Sequence, residues 1–197
     1  CIGPAGVSNG TNERGVFGGG TRGGSNSNVM DYITISSTGN ATDFGDLTLA
    51  RQNISGTSNA TNQRGVFAGG YASSGSNVID YITISSTGNA SDFGDLTVAR
   101  WGPGATSNGT NNRGVFGGGT TGSVSNVIDY ITISSTGNAT DFGDLTVARR
   151  YIGALSNGTD NRGVFGGGIT STEVNTMDYI TISSTGNATD FGDLTKS

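Results

Sequence analysis

The chain has 197 residues, including 36 glycines and two prolines, and a formal net charge of −5. This acidic balance argues against a nucleic-acid-binding groove, because such grooves are basic. The absence of histidine removes the commonest general base and a common zinc ligand, and a single cysteine excludes an internal disulfide. No run of about 18 apolar residues occurs, so no membrane-spanning helix is predicted.

Two sequence motifs recur four times along the chain. RGVF begins at Arg14, Arg64, Arg113 and Arg162, and DYITISSTGN begins at Asp31, Asp80, Asp129 and Asp178. The copies of RGVF lie 50, 49 and 49 residues apart, and those of DYITISSTGN lie 49 residues apart. Propeller blades repeat at about 40 to 50 residues. The extra residue of the first repeat falls in TRGGSNSN, which predicts a surface loop there.

Each repeat contains four candidate strands in the same order. A small-residue stretch such as GPAGVSNGTN comes first, followed by RGVFGGG, by NVIDYITIS and, after the turn signal STGN, by ATDFGDLTVAR. Short β-branched and aromatic runs between Gly, Asn, Asp and Ser clusters are typical of strands, and no segment has helical spacing. Glycine, alanine and serine in the first strand allow neighbouring units to approach closely. Val16, Phe17, Ile33 and Ile35, with their copies, are expected to fill the space between units.

These patterns predict an all-β fold, a β-propeller of four four-stranded blades of about 49 residues each. Residues 1–197 are expected to form one domain, with blades at about 1–50, 51–99, 100–148 and 149–197. Three assemblies are compatible with this count. The chain forms a closed four-blade ring, or half of a larger ring made by two chains, or a fragment of a longer array.

The repeats resemble the kelch motif. RGVFGGG corresponds to the kelch strand that ends in a double glycine, NVIDYITIS lies where kelch repeats carry their tyrosine-containing strand, and DFGDLTVAR matches the fourth strand through Phe93 and Arg100. Phenylalanine replaces the kelch tryptophan, at Phe44, Phe93, Phe142 and Phe191. The run DYITISSTGNATDFGDLTVARR is also similar to repeats in large virion proteins of tailed phages that infect marine bacteria and cyanobacteria. This resemblance implies a kelch-like propeller in a tail, baseplate or fibre.

Recurring charged residues are the candidates for ion binding. Asp43 and Asp46, with their copies, could ligate calcium, but Asx turns that bond local backbone amides are the ordinary use of such residues and are favoured here. The arginines equivalent to Arg14 and to Arg51 are predicted to pair with Asp31 or Asp46 and their copies, because a ring of one sign repels itself. Surface pairs of this kind add about 0–1 kcal/mol each. No metal and no cofactor is predicted.

The four copies differ most in the loop after the glycines and at the junction between repeats. Tyr71, Trp101 and Tyr151 lie in these segments and are the candidate ligand-binding residues. Exposed aromatic side chains anchor sugars or protein partners, whereas buried ones act as wedges between blades, and both interpretations stay open.

The expected function is a non-enzymatic structural or adhesive propeller on a virion or other extracellular surface. It would bind other protein chains, as a homo-oligomer or among virion proteins, or surface glycans, with no nucleic acid and no membrane. The alternative is a lectin-like propeller that uses Tyr71, Trp101 and Tyr151. An enzyme ranks third, because near-identical repeats offer no asymmetric set of catalytic residues.

Overall fold

The computed structural model describes residues 2–8, 13–59, 63–108, 112–158 and 160–195. Within these ranges the chain forms strands and turns and no helix, which confirms the all-β prediction. The described part of the chain therefore offers no helix that could cross a membrane.

The first repeat folds into one four-stranded antiparallel sheet. Its strands, in spatial order, are β1 (Ala5–Ser8), β2 (Arg14–Gly18), β5 (Val29–Thr34) and β6 (Thr42–Asp46). Between β2 and β5, the strands β3 (Thr21–Arg22) and β4 (Ser25–Asn26) pair as a small hairpin with an exposed tip. This hairpin is the TRGGSNSN segment, so the predicted surface loop is confirmed.

The other three repeats each form an equivalent sheet, in which strands consecutive in sequence pair antiparallel. The second sheet contains β7 (Ser55–Ser58), β8 (Arg64–Ala68), β9 (Val78–Thr83) and β10 (Ser91–Asp95). The third contains β11 (Gly104–Ser107), β12 (Arg113–Gly117), β13 (Val127–Thr132) and β14 (Thr140–Asp144). The fourth contains β15 (Gly153–Leu155), β16 (Arg162–Gly166), β17 (Thr176–Thr181) and β18 (Thr189–Asp193). The predicted four-stranded sheet is thus confirmed in every repeat, and the first repeat adds the β3–β4 hairpin to it.

A β-bulge lies at the same place in the last strand of every sheet. In the first sheet, Asp31 lies opposite Asp43 and Met30 lies opposite Gly45, so Phe44 has no partner residue on β5. The same shift occurs at Phe93, Phe142 and Phe191. A bulge re-aims a side chain, and Phe44, Phe93 and Phe142 are each only 2% exposed. The recurring DFG is therefore explained as the bulge sequence.

An apolar cluster lies between each pair of consecutive sheets. The first cluster combines Val7, Val16 and Phe44 of the first sheet with Phe67 and Ile84 of the second. Clusters of equivalent residues lie between the second and third sheets and between the third and fourth. Removing this apolar surface from water is the main force that holds the sheets together. The prediction that these positions fill the space between units is confirmed for the inner copies.

The prediction is wrong for part of the first copy, because no described sheet lies before the first one. Phe17 and Ile35 are 47% and 58% exposed, whereas their counterparts Phe67 and Ile84 are fully buried.

The first strands of the four sheets follow one another in space. β1 contacts β7, β7 contacts β11, and β11 contacts β15, whereas β15 and β1, both fully described, make no comparable contact. All four strands line one shared cavity of about 270 Å³. Small residues permit this approach, because a Cβ added at Gly56 would lie 2.8 Å from the carbonyl oxygen of Gly6. The sheets form an open series around the cavity.

Candidate functional site

The variable residues lie at equivalent places in the four sheets. In every sheet, the residue three positions before the first strand forms an isolated bridge with the residue that follows the double glycine. The bridges are Ile2–Thr21, Gln52–Tyr71, Trp101–Thr120 and Arg150–Ile169. Backbone hydrogen bonds hold them, as in Gln52 and Tyr71, whose N–H groups donate to each other's carbonyl oxygens at 3.0 and 2.7 Å. A recurring backbone arrangement therefore presents side chains that differ from sheet to sheet.

Backbone hydrogen bonds also link consecutive sheets through the residue that follows the first bridge residue in each sheet. The N–H of Asn53 donates to Gly3 at 2.8 Å, that of Gly102 to Asn53 at 2.8 Å, and that of Tyr151 to Gly102 at 2.7 Å. All four residues have a positive φ, and for Tyr151 it is 58°. Glycine adopts this conformation freely, whereas a bulky residue in it costs about 1–3 kcal/mol. Tyr151 is thus held against its backbone preference, a feature that clusters at functional sites.

Tyr71, Trp101 and Tyr151 come together on this surface, and we call them the aromatic row. The rings of Tyr71 and Trp101 meet edge to face, with centroids 5.2 Å apart and an interplanar angle of 72°. The ring of Tyr151 lies against Gly102, where an added Cβ would be 2.9 Å from Tyr151 Cδ1. The structure thus brings together the three residues that the sequence placed in separate variable segments.

The aromatic row contains both a wedge and an open surface. Tyr71 and Trp101 are half-buried, and Trp101 covers Gly75, where an added Cβ would lie 3.3 Å from Trp101 Cε3. Tyr151 is 46% exposed. The two interpretations of these aromatics therefore apply to different residues, since Trp101 fills space and Tyr151 offers a ring to solvent.

Two further residues support the row, and the sequence analysis did not select them. Asn26 Nδ2 donates to the carbonyl oxygens of Tyr71 and Ala72, at 3.1 and 2.6 Å, and so fixes the loop that carries Tyr71. The guanidinium of Arg150 lies 5.2 Å from the Tyr151 ring centroid. Its Nε is shielded from solvent and has no hydrogen-bond partner among the described residues. The available signal was the second arginine of RRYIGA, which RQNISG and RWGPGA lack.

The junction arginines form buried ion pairs with the sheet that follows each junction. The pairs Arg51–Asp80, Arg100–Asp129 and Arg149–Asp178 have N–O distances of 3.0, 2.9 and 2.7 Å, and all six side chains are fully buried. Each arginine also donates to a phenylalanine carbonyl oxygen of the next sheet, at Phe67, Phe116 and Phe165. The predicted pairing is confirmed for this set, but as core pairs rather than surface pairs.

Burial displaces the pKa values in these pairs. Burial lowers the pKa of the Arg51 and Arg100 guanidinium groups, and attraction to Asp80 and Asp129 opposes this shift. Burial also raises the pKa of the Asp129 carboxyl, which the Arg100 charge and a hydrogen bond from Thr97 oppose. Displaced pKa values often mark catalytic groups, but structural ion pairs displace them too. Because these pairs recur in every interface and are sealed from solvent, we assign them to cohesion between sheets.

The arginines at the start of the second strands behave differently. The guanidinium groups of Arg14, Arg64, Arg113 and Arg162 lie 4.6, 4.5, 4.3 and 4.5 Å from the tyrosine ring centroids of their own sheets. Those in the first three sheets also donate to an isoleucine carbonyl oxygen in the next sheet, at Ile84, Ile133 and Ile182. The predicted pairing with aspartate is therefore wrong for this set, because a tyrosine face and a carbonyl bind the guanidinium instead.

The DFGD carboxylates do not assemble into a metal site. Among the described residues, no group of three or more His, Cys, Asp or Glu side chains lies together. Asp43 is exposed on the outer strand, and the bulge at Phe44 separates it from Asp46. The favoured Asx interpretation is borne out in the fourth sheet, where the Gly192 N–H donates to Asp190 Oδ1 at 3.4 Å.

Comparison of the chain with protein-family models gives no match. Comparison with curated proteins gives no match either.

Proposed function

We propose that the chain is a non-enzymatic structural and adhesive protein whose four sheets are the blades of a kelch-like β-propeller. In this proposal the aromatic row binds a protein partner on a virion or other extracellular surface. The propeller arrangement is supported by the consecutive contacts of the first strands and by the cavity they share. The order of strands within each sheet, from the cavity outward, is also that of a propeller blade.

The observation that supports the adhesive role is that recurring and variable residues lie in different places. Recurring side chains such as Phe116, Arg100 and Asp129 are buried between sheets. The variable side chains Tyr71 and Trp101 instead contact each other, and Tyr151, packed against Gly102 next to Trp101, exposes its ring beside a cation. Tyrosine, tryptophan and arginine are the residues that most often dominate the energy of protein interfaces.

The charge on this surface indicates which chemical groups a partner would carry. Arg150 presents a cation beside the Tyr151 ring, and that ring is 46% exposed. A partner that supplies a carboxylate to Arg150 and an apolar group to Tyr151 would satisfy both features. We therefore expect peptides that contain an acidic residue next to an aromatic or aliphatic one.

Selection from a random peptide display library on the immobilised chain tests this role. We expect selected peptides to bind the native chain and to lose binding at least tenfold with Tyr151→Ala, which removes a half-exposed ring and leaves the core intact. Thr136→Ala, an exposed substitution on a turn of the third sheet, is the matched control and should bind like the native chain. Selected peptides that bind Tyr151→Ala unchanged would overturn the assignment of the aromatic row.

Carbohydrate binding is the second candidate, and the half-exposed Tyr151 ring beside Arg150 is the observation that favours it. A sugar ring stacks on an aromatic face, and a sugar carboxylate fits a guanidinium. A glycan array with the native chain, Trp101→Ala and Tyr151→Ala separates the two candidates. Specific glycan binding that both substitutions abolish would establish the lectin alternative, and an array without signal would favour the protein partner.

A further inference from the structure

The first and fourth sheets each carry an apolar face that no described residue covers. The leading face of the first sheet contains Gly15, Phe17, Ile33 and Ile35 and holds an apolar groove of about 260 Å³. The trailing face of the fourth sheet contains Leu155, Phe191 and Leu194, which are 65%, 47% and 42% exposed. Apolar faces of this kind mark interaction sites.

The inner sheets show what these two faces fit, because each equivalent position there is covered. The counterparts of Phe191, at Phe44, Phe93 and Phe142, are 2% exposed, and those of Leu194, at Leu47, Leu96 and Leu145, are 3% exposed. The counterparts of Phe17, at Phe67, Phe116 and Phe165, are fully buried. The trailing side of each inner sheet is covered by the leading side of the next, so the two open faces are complementary halves of one recurring contact.

A side chain in the first strand and a glycine in the next sheet form the centre of that contact. Val7 lies over Gly65, where an added Cβ would be 2.5 Å from Val7 Cγ2. Thr57 lies over Gly114 and Thr106 over Gly163 in the same way, each with a Cγ2 distance of 2.9 Å. Leu155 is the fourth such side chain, and it is 65% exposed. Gly15 is the remaining glycine, and the nearest atoms to a Cβ there belong to Ile33 and Ile35 of its own repeat, at 3.6 Å.

Backbone atoms also take part in this contact, at the outer edge of the sheets, where the turn of one sheet meets the bulge of the preceding sheet. The turn of each following sheet donates an N–H to the bulged phenylalanine, as from Gly88 to the Phe44 carbonyl oxygen at 2.8 Å. A Cβ at Gly143 would lie 2.5 Å from the Gly186 carbonyl oxygen, so the turn of the fourth sheet presses on the third. At Gly192, the equivalent position of the fourth sheet, an added Cβ would meet nothing within 4 Å.

Charge at the leading face is already balanced. The counterparts of Asp31 in the second, third and fourth sheets each pair with an arginine of the junction that precedes the sheet. Asp31 instead pairs with Arg22 of its own β3–β4 hairpin, at 3.4 Å. A molecule that covers this face therefore need not supply an arginine, and burial of the face leaves no unpaired carboxylate.

We infer that the trailing face of one copy of the chain binds the leading face of a second copy, through the contact that joins consecutive sheets within the chain. The two faces differ, so the association is head-to-tail. Leu155 enters the groove over Gly15, and Phe191 and Leu194 cover Phe17 and Ile35. This surface is separate from the aromatic row, so the inference goes beyond the proposed partner binding and does not depend on it.

Multi-angle light scattering during size-exclusion chromatography tests the inference with the whole chain. We expect a mass above the 19.8 kDa of one chain that falls on dilution. Ile35→Asp and Leu155→Asp should each give a monomer that melts like the native chain at a dilution where that chain is monomeric, because both side chains are exposed within one chain. Val147→Asp replaces an exposed valine outside both faces and should associate like the native chain. Trp101→Ala and Tyr151→Ala should also associate normally, which separates this contact from partner binding.

A mixture of the two face variants gives the decisive result. Ile35→Asp keeps a working trailing face and Leu155→Asp keeps a working leading face, so a 1:1 mixture should form a heterodimer of twice the chain mass. A symmetric interface would not be restored by mixing, and that result would overturn the inference. A native chain that stays monomeric up to about 100 μM, a concentration at which association with a free energy of about −5.5 kcal/mol would be visible, would overturn it as well.

Discussion

The first and second sheets have nearly the same sequence in very different surroundings. Phe67 is fully buried against the first sheet, whereas its counterpart Phe17 is 47% exposed. Asp80 is sealed in a pair with Arg51, whereas Asp31 is 37% exposed and pairs with the hairpin residue Arg22. The place of a repeat in the series, rather than its residues, thus decides which side chains form core. The energy of such an array is a sum of unit and nearest-neighbour terms.

The largest difference is expected for the phenylalanines of the second strands. Phe116→Ala removes a fully buried ring from an interface and should lower the free energy of unfolding by about 3–5 kcal/mol. Phe17→Ala removes a half-exposed ring and should lower it by only about 1 kcal/mol. Urea unfolding followed by circular dichroism, in dilute protein to exclude association, measures both. Equal losses for the two substitutions would show that position in the series does not set the energy.

Breaking a buried ion pair should also cost more stability than breaking the exposed one, but the difference should be smaller than for the phenylalanines. Asp129→Asn leaves the buried Arg100 charge without its partner and should cost about 3 kcal/mol. Asp31→Asn breaks an exposed pair with Arg22 and should cost about 0–1 kcal/mol. The same unfolding assay measures both, and 1 M salt should reduce only the Asp31 effect, since exposed pairs are screened. A loss below 1 kcal/mol for Asp129→Asn would contradict the cohesive role assigned to the pair.

Alanine substitutions at two bulge glycines should show the smallest difference in stability loss, between two sites with similar backbone conformation. Gly143 and Gly192 have φ values of 142° and 126°, so an alanine meets a similar backbone penalty at both. Only at Gly143 does the new Cβ meet the carbonyl of the next sheet, at 2.5 Å. Gly143→Ala should therefore destabilise the chain by about 1–2 kcal/mol more than Gly192→Ala. Thermal melts of the two variants check this, and identical melting temperatures would argue against a tight rim contact.

The strand order and the number of strands per repeat could be predicted, because both follow from short-range patterns that occur four times. The bulge could not, since the pairing of Asp31 with Asp43 depends on hydrogen-bond register, which leaves no trace in the pattern. The same limit explains the error over Arg14. Its approach to Tyr32 depends on how β2 and β5 align, while the recurring aspartates suggested a charge partner.

The aromatic residues of the candidate site could be selected from the sequence, but their proximity in space could not. Tyr71, Trp101 and Tyr151 were visible as variable aromatics, because repeats differ where the fold does not dictate the residue. Their proximity depends on backbone bridges such as Gln52–Tyr71, in which side-chain identity plays no part. The role of Asn26 was likewise hidden, because its amide bonds the backbone of a residue 45 positions away.

The near-identity of the three interfaces between sheets also bears on how the chain reaches its folded state. Each sheet forms from one consecutive stretch of chain, so sheets can form independently and order can spread from any of them. The trailing side of the first sheet would accept the leading side of the third almost as well as that of the second. The junction from Leu47 to Ile54 has eight residues, which reach at most about 29 Å, and so favours the nearest sheet. Short junctions therefore favour pairing between consecutive sheets during folding, because the side chains alone distinguish little between correct and incorrect sheet partners.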